Sequence, residues 1–186
     1  MISLVQLWLP ILGSAIAVFV LSSLVHMVFK WHNSDYLALA NEGEVAAAIR
    51  KSNPAPGQYI LPHCVDMKAM KAPEFQQKFR DGPVGMLVLK APGAPNMGRA
   101  LTQWFLYTLV IGVFAGYVAS RTLPAGTAFA SVFRVIATVA FLTYVGGSVQ
   151  QGIWMGKPWR SVAKEGLDGL LNAAATGTVF GCLWPQ

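Results

Sequence analysis

The sequence has few charged residues for a chain of 186. Charged side chains make up only 12% of it, whereas soluble globular domains have about 25%. Apolar residues make up 54%, and the mean hydropathy is +0.48. These values exclude an ordinary soluble domain and predict a membrane protein.

The sequence also lacks a recognisable enzyme or cofactor motif. No nucleophile, base and orienting group can be assembled from it. Only His26 lies within an apolar run, whereas haem held between helices needs facing axial ligands. We therefore expect no cofactor, and the sequence favours a protein without enzymatic activity.

Cysteine is scarce as well. The two cysteines, Cys64 and Cys182, fall in segments that we expect on opposite sides of a membrane. A disulfide needs Cα atoms about 4.4–6.8 Å apart, so these thiols are not expected to pair. A disulfide-stabilised scaffold is thus excluded.

Four apolar runs organise the chain, at about 4–29, 100–120, 127–150 and 166–184. Each is long enough as a helix to cross a hydrocarbon core of about 30 Å. The first lacks the basic start of a signal peptide and is interpreted as a retained anchor. The fourth is interrupted by Asp168, Asn172, Thr176 and Thr178. The predicted fold class is an all-α membrane protein with four transmembrane helices and a small α+β insert between the first two.

Positive charge is concentrated between the runs. Twelve of the 14 Lys and Arg residues lie in segments 30–99 and 151–165. Positive charge favours the cytoplasmic side, so both segments are expected inside and both termini outside, in the periplasm. The same placement predicts contact with anionic lipid headgroups and argues against nucleic-acid binding.

The predicted domains are a first transmembrane helix over 1–29, a cytoplasmic insert over 30–98, and the remaining helices over 99–186. Within the insert, Asn41 and Glu44 resemble a capping box. Breakers such as Asn53-Pro54 and Asp81-Gly82-Pro83 delimit its elements. We predict, in order, a helix over 42–52, a strand over 58–61, a helix over 73–80 and a strand over 84–90.

Several short stretches resemble a known group of proteins. They are Gly57-Gln58-Tyr59-Ile60-Leu61-Pro62, Gly82-Pro83-Val84-Gly85, Pro95-Asn96-Met97-Gly98, Gly156-Lys157-Pro158-Trp159 and Asp168-Gly169-Leu170-Leu171. Together with the capped helix, they resemble small multi-pass bacterial inner-membrane proteins to which no activity is assigned. The resemblance implies a multi-pass fold and a bacterial inner-membrane location, and it implies nothing about activity.

One candidate site lies in the insert. His63, Cys64, Met67 and Met70 bring imidazole, thiol and thioether groups within eight residues. Such soft ligands suit copper(I). The alternative is a short buried segment in which Met fills gaps and Cys acts as a small apolar residue.

A second candidate is a polar cluster at the inner membrane edge, formed by His26, Asp168, Gln150 and Gln151. Ionisable groups in spans often relay protons or bind ions. In the alternative interpretation, Asp168 is favoured by a nearby helix N-terminus and pairs with Lys164, while His26 faces lipid headgroups.

Arg134 is a third candidate. It is expected seven or eight residues into its helix, about 10–12 Å deep. A charge at that depth is costly, so Arg134 points to a partner or ligand, unless its side chain snorkels to the headgroups.

Small residues recur at helical spacing in three of the four runs. Such stripes let membrane helices approach closely. Because three of the four helices have such a stripe, one stripe could contact a neighbouring chain while the others pack inside the bundle. The stripes are formed by Gly13 and Ala17, by Gly112 and Gly116, and by Ala173, Gly177 and Gly181.

Two functional hypotheses follow. The preferred one is a non-catalytic subunit or assembly factor of a membrane complex, in contact with lipid and with other membrane proteins or a second copy. The alternative is a small oligomeric transporter or channel with a polar path through His26, Asp168 and Arg134.

Overall fold

The computed structural model describes residues 2–186, which are mostly helical. The α-helices are α1 (Trp8–Ser23), α2 (Glu42–Lys51), α3 (Met67–Met70), α4 (Pro73–Asp81), α5 (Met97–Thr122), α6 (Phe129–Met155) and α7 (Trp159–Cys182). The strands are β1 (Gly57–Leu61) and β2 (Gly85–Leu89). A 3₁₀ turn over Leu4–Leu7 precedes α1, a π-helical turn over Leu24–Phe29 follows it, and a second 3₁₀ turn covers Trp31–Asp35.

Three helical segments in the described part of the chain are long and apolar enough to cross a membrane: Leu4–Phe29, α5 and α6. They mark the chain as a membrane-embedded protein. The prediction of four transmembrane helices is wrong, because the fourth run does not meet this standard. Four charged residues fall within the first ten positions of α7, and Asn172 and Thr176 follow. The charged four are Arg160, Lys164, Glu165 and Asp168.

Helix α7 also begins earlier than its apolar run. It starts at Trp159, directly after Pro158, whereas the sequence predicted a start near 166. The carbonyl of Pro158 accepts hydrogen bonds from the backbone of Ser161 and Val162. A helix extends wherever its backbone hydrogen bonds are made, so the start of an apolar run does not mark the start of the helix.

The chain forms two compact units. The first, called the bundle, comprises the residues up to Tyr36 together with 96–152 and 157–186. Within it α1 runs antiparallel to α5, since Gly112 lies beside Ile11 and the Trp104 indole N–H donates to Ser22 Oγ at 2.9 Å. Helix α7 is antiparallel to α6, with Gly181 beside Phe129 and Gly169 beside Tyr144.

One end of the bundle is apolar. The core there is formed by Ile2, Leu7, Ala115, Ala119, Val132, Ile136, Phe180 and Trp184. The Trp184 indole N–H donates to the Pro124 carbonyl at 3.0 Å, and Gly126 N–H donates to the Pro185 carbonyl at 2.9 Å. The first and last described residues therefore lie at the same end, beside the turn between α5 and α6.

The small-residue stripes face other helices of the bundle. Gly13 lies against Val179, and Gly116 lies against Phe180 and Leu7. Gly112, Gly177 and Gly181 likewise lie against side chains of the bundle, Ala173 is fully buried, and Ala17 is half-buried. These contacts occur inside one chain, so the stripes give no support to an interface with a second copy.

The second unit, called the insert unit, comprises 37–95 and 153–156. Strands β1 and β2 pair antiparallel, with Gln58 opposite Val88 and Ile60 opposite Met86. The two helices and two strands predicted here are confirmed, but the capping box is wrong because the Asn41 side chain makes no capping bond. The short helix α3 was not predicted.

Candidate functional site

The end of the bundle opposite the apolar core contains a cavity of about 320 Å³. It lies where α1 and α6 end and where α5 and α7 begin. Most of its lining is polar: Ser22, His26, Trp104, Tyr144, Ser148, Gln151, Lys157, Glu165, Asp168 and Asn172, together with Val25 and Gly169. This concentration of polar and ionisable side chains makes it the leading candidate site.

The backbone after α1 brings two histidines together. The π-helical turn contains His26, and its last bond runs from Lys30 N–H to the Val25 carbonyl at 3.2 Å. Lys30 adopts a left-handed conformation with φ of 52°, which ends the helix and turns the chain. The rings of His26 and His32 consequently stack, with centroids 4.9 Å apart and planes 9° from parallel.

His32 is the centre of a hydrogen-bonded network. Its Nδ1 lies 2.8 Å from Asp35 Oδ2, and its Nε2 lies 2.6 Å from Asp168 Oδ2. Lys164 Nζ lies 2.7 Å from Asp35 Oδ1 and also donates to the Trp31 carbonyl at 2.7 Å. The network thus joins the segment after α1 to the first half of α7.

The Asp35 carboxylate is stabilised in its charged form. Its hydrogen bond to the Lys164 ammonium, supported by His32, lowers the pKa of Asp35 to about 2 from an ordinary value of 3.8, against the opposing effect of burial. Asp35 is therefore ionised at neutral pH and holds both Lys164 and the His32 ring in place.

Asp168 has a different environment from the one predicted. It is the tenth residue of α7, beyond the first turn in which the helix dipole acts. Lys164 pairs with Asp35 rather than with Asp168. Asp168 bonds His32 through Oδ2, while its Oδ1 is buried and has no hydrogen-bond partner. The helix-dipole interpretation of Asp168 is therefore wrong.

The two predicted glutamines have separate positions. Gln151 lines the cavity and accepts a hydrogen bond from Lys157 Nζ at 3.2 Å. Lys157 also forms an ion pair with Glu165. Gln150 is exposed and does not line this cavity. The structure thus brings together His26, Asp168 and Gln151 of the predicted cluster.

Arg134 lies near the start of α6, whereas the cavity lies near the end of that helix. It is exposed, and its Nε donates to the Ala130 carbonyl at 3.1 Å. Because α6 begins at Phe129, Arg134 is five residues into the helix, about 7.5 Å along its axis. Arg134 therefore lies nearer to the start of its helix than predicted, a position from which its side chain can snorkel.

The predicted soft-metal residues of the insert unit are divided between cavities. His63 lines one beside Gln58 and Tyr59, whereas Cys64 and Met70 line another. The Cys64 thiol donates to the Asp66 carbonyl at 3.2 Å, and Met67 is 68% exposed. The structure therefore does not gather these four groups around one point.

The insert unit has its own candidate surface. No residue described between 37 and 95 is buried. On one face of the sheet Tyr59 and Leu87 are half-buried, but on the other face Ile60, Met86 and Val88 are 50%, 36% and 58% exposed. This second face, called the open face, also carries Gln58 opposite Val88 and is otherwise apolar and exposed.

Sequence reasoning missed His32, Asp35 and the role of Lys164. A local signal existed, because a histidine and a carboxylate three residues apart can bond within one helical turn. The contact of His32 with Asp168 spans 136 positions, and no local pattern predicts it.

Comparison with known proteins adds no assignment to this site. No protein-family model, curated protein or solved structure matches the chain.

Proposed function

We propose that this protein is a non-catalytic, membrane-embedded subunit or assembly factor of a membrane complex, in which the insert unit binds a partner protein. The observation that carries the proposal is the open face formed by Ile60, Met86 and Val88. Apolar surface of this kind is favourable to remove from water, and a contiguous patch is typical of an interaction site.

The small size of the sheet supports the same conclusion. An isolated two-stranded sheet is only marginally stable in water. Strands β1 and β2 are both edge strands, and each offers unpaired backbone groups to a further strand. A partner that covers the open face or extends an edge would stabilise the unit.

The bundle favours this function over transport. A path from His26 and Asp168 to the other end of the bundle would have to pass the apolar core, where Leu7 and Phe180 are fully buried. Arg134 lies on the exposed surface of α6 rather than on that line. The alternative of a polar path through these residues therefore has little geometric support.

We further infer an orientation in a bacterial inner membrane. The positive charge of segments 30–99 and 151–165 supports a cytoplasmic position for both. The two termini lie together at the apolar end of the bundle, which we place on the periplasmic side.

Extraction from native membranes in a mild detergent tests the proposed function. We expect the 20.0 kDa chain to migrate in a hetero-complex with one reproducible second protein. Val88→Lys places a charge on the open face and should release that protein. Ala47→Lys adds the same charge on the exposed surface of α2 and should leave the complex intact.

Two results would contradict the proposal. One is a wild-type chain that migrates alone or only with copies of itself. The other is a Val88→Lys variant that retains its partner as well as the Ala47→Lys variant does. Helical circular dichroism of both variants shows whether each remains folded.

A further inference from the structure

We propose that the polar end of the bundle binds one divalent first-row transition-metal ion, such as Zn²⁺, through His26, His32 and Asp168. One ligand atom from each of these residues lies within 4.8 Å of the others. Within residues 2–186 this is the one group of three or more His, Cys, Asp or Glu side chains so arranged. The proposal is independent of the partner protein proposed above.

The hydrogen bonds of the two histidines prepare them as ligands. His26 Nδ1 lies 2.9 Å from the Ser22 carbonyl, which can only accept, so Nδ1 carries the proton. His32 Nδ1 lies 2.8 Å from the ionised Asp35 carboxylate. In both rings Nε2 is left for another partner. Metal-binding histidines characteristically donate their second nitrogen to a carbonyl or carboxylate in this way.

Asp168 provides the third ligand. Its Oδ2 lies 2.6 Å from His32 Nε2, a separation that requires a proton between the two atoms. A bound cation would replace that proton, which would be released to solvent. Asp168 Oδ1 is buried without a partner, and an unpaired buried oxygen is costly unless a ligand satisfies it.

The separations are compatible with coordination after a small adjustment. Zinc bonds of about 2.0–2.2 Å place neighbouring ligand atoms about 3.3–3.6 Å apart in a tetrahedral site. The ligand atoms of the three residues lie within 4.8 Å of one another, so the widest separation must shorten, and the 2.6 Å between His32 Nε2 and Asp168 Oδ2 must lengthen as the metal replaces the proton. The side chain of His26 is exposed and can rotate towards the other two ligands.

The donor set selects the class of ion. Two imidazoles and one carboxylate suit Zn²⁺ or Co²⁺, whereas Mg²⁺ and Ca²⁺ prefer oxygen ligands and copper(I) prefers sulfur. The nearby lysines are paired with carboxylates, Lys164 with Asp35 and Lys157 with Glu165, which limits their repulsion of a cation. His26 and Asp168 line the cavity, which leaves space for a fourth ligand.

Titration of the purified full-length protein with Co²⁺ tests the proposal. We expect one equivalent to bind with visible d–d absorption, and Zn²⁺ to displace it. His32→Gln and Asp168→Asn should abolish this binding, and Asp35→Asn should weaken it about 10–100-fold by releasing the His32 ring. His63→Gln is the matched control, because His63 lies in the insert unit, and it should bind Co²⁺ as the wild type does.

A measurement on the wild type alone covers the case in which a variant does not fold. Zn²⁺ should protect His26 and His32, but not His63, from diethyl pyrocarbonate, as read by mass spectrometry. Three results would overturn the proposal: no stoichiometric Co²⁺ binding by the wild type, equal modification of His26 and His32 with and without Zn²⁺, or loss of binding in His63→Gln.

Discussion

The two ends of the bundle are built from the same helices and differ in chemistry. At the apolar end, Leu7 and Phe180 are fully buried and Gly116 packs against both. At the polar end, His32, Asp35, Lys164 and Asp168 bond one another beside a cavity. Packing of neutral side chains holds one end together, and directional charged hydrogen bonds hold the other.

Helix α7 explains the difference. Its second half places Gly177 and Gly181 against aromatic rings of α6, and its first half supplies Lys164 and Asp168. Three of the four charges that make α7 too polar to count as a membrane span, Lys164, Glu165 and Asp168, belong to the polar end. Helix α7 can carry these groups because Lys164, Glu165 and one oxygen of Asp168 are paired within the protein.

The largest expected effect distinguishes Cys182 in the bundle from Cys64 in the insert unit by their accessibility to a reagent outside the cell. Cys182 is exposed at the last residue of α7, near the apolar end, and Cys64 lies in the insert unit. A membrane-impermeant maleimide applied to intact spheroplasts should label Cys182 and leave Cys64 unlabelled until the membrane is permeabilised. Cys64→Ser and Cys182→Ser variants assign the signals. Labelling of Cys64 from outside would invert the proposed orientation.

A smaller effect is expected from packing between α6 and α7. A methyl group added at Gly177 would lie 2.9 Å from Phe133 and 3.0 Å from the Ala137 Cβ. Gly177→Ala should therefore lower the free energy of unfolding by about 1–3 kcal/mol, less the gain in helix propensity. The readout is unfolding in mixed detergent micelles.

Gly146→Ala in α6 is the matched control, because the added methyl group would have no neighbour within 4 Å apart from the adjoining residues and backbone of its own helix. It should be neutral or stabilise the protein by up to about 1 kcal/mol. Equal effects of the two substitutions would show that the contact between α6 and α7 is not tightly packed at Gly177.

The smallest effect concerns the pH dependence of the polar end. The pKa of Asp35 is lowered from 3.8 to about 2 by its bond to Lys164. The stability it contributes is therefore fully present above pH 4 and is lost as the pH falls towards 2. Thermal unfolding followed by tryptophan fluorescence should show this loss in the wild type and a flatter profile in Asp35→Asn. Parallel profiles would mean that Asp35 contributes nothing.

Much of the local structure could be predicted from the sequence. The insert strands and the longer insert helices follow from breakers such as Asn53-Pro54 and from short apolar runs, since turn chemistry acts over a few residues. The predicted number of spans was wrong because the fourth apolar run was judged by its length. Helix α7 contains most of that run but has a charged first half, and the whole helix is too polar to count as a membrane span.

The candidate site was predicted only in part. His26, Asp168 and Gln151 were identified because polar groups beside an apolar run are unusual. His32 was passed over because it follows the run, and its position depends on the π-helical turn and on the left-handed Lys30. Nothing in the local sequence indicates that turn.

The amino-acid sequence by itself determined that this is a membrane protein with long apolar helices and a small α+β insert, because hydropathy and turn formation are properties of neighbouring residues. Only the tertiary structure decided that His32 meets Asp168 and that Lys164 meets Asp35, across 136 and 129 positions. Such contacts depend on how the helices are arranged in space, which depends on packing across the whole bundle rather than on any one segment.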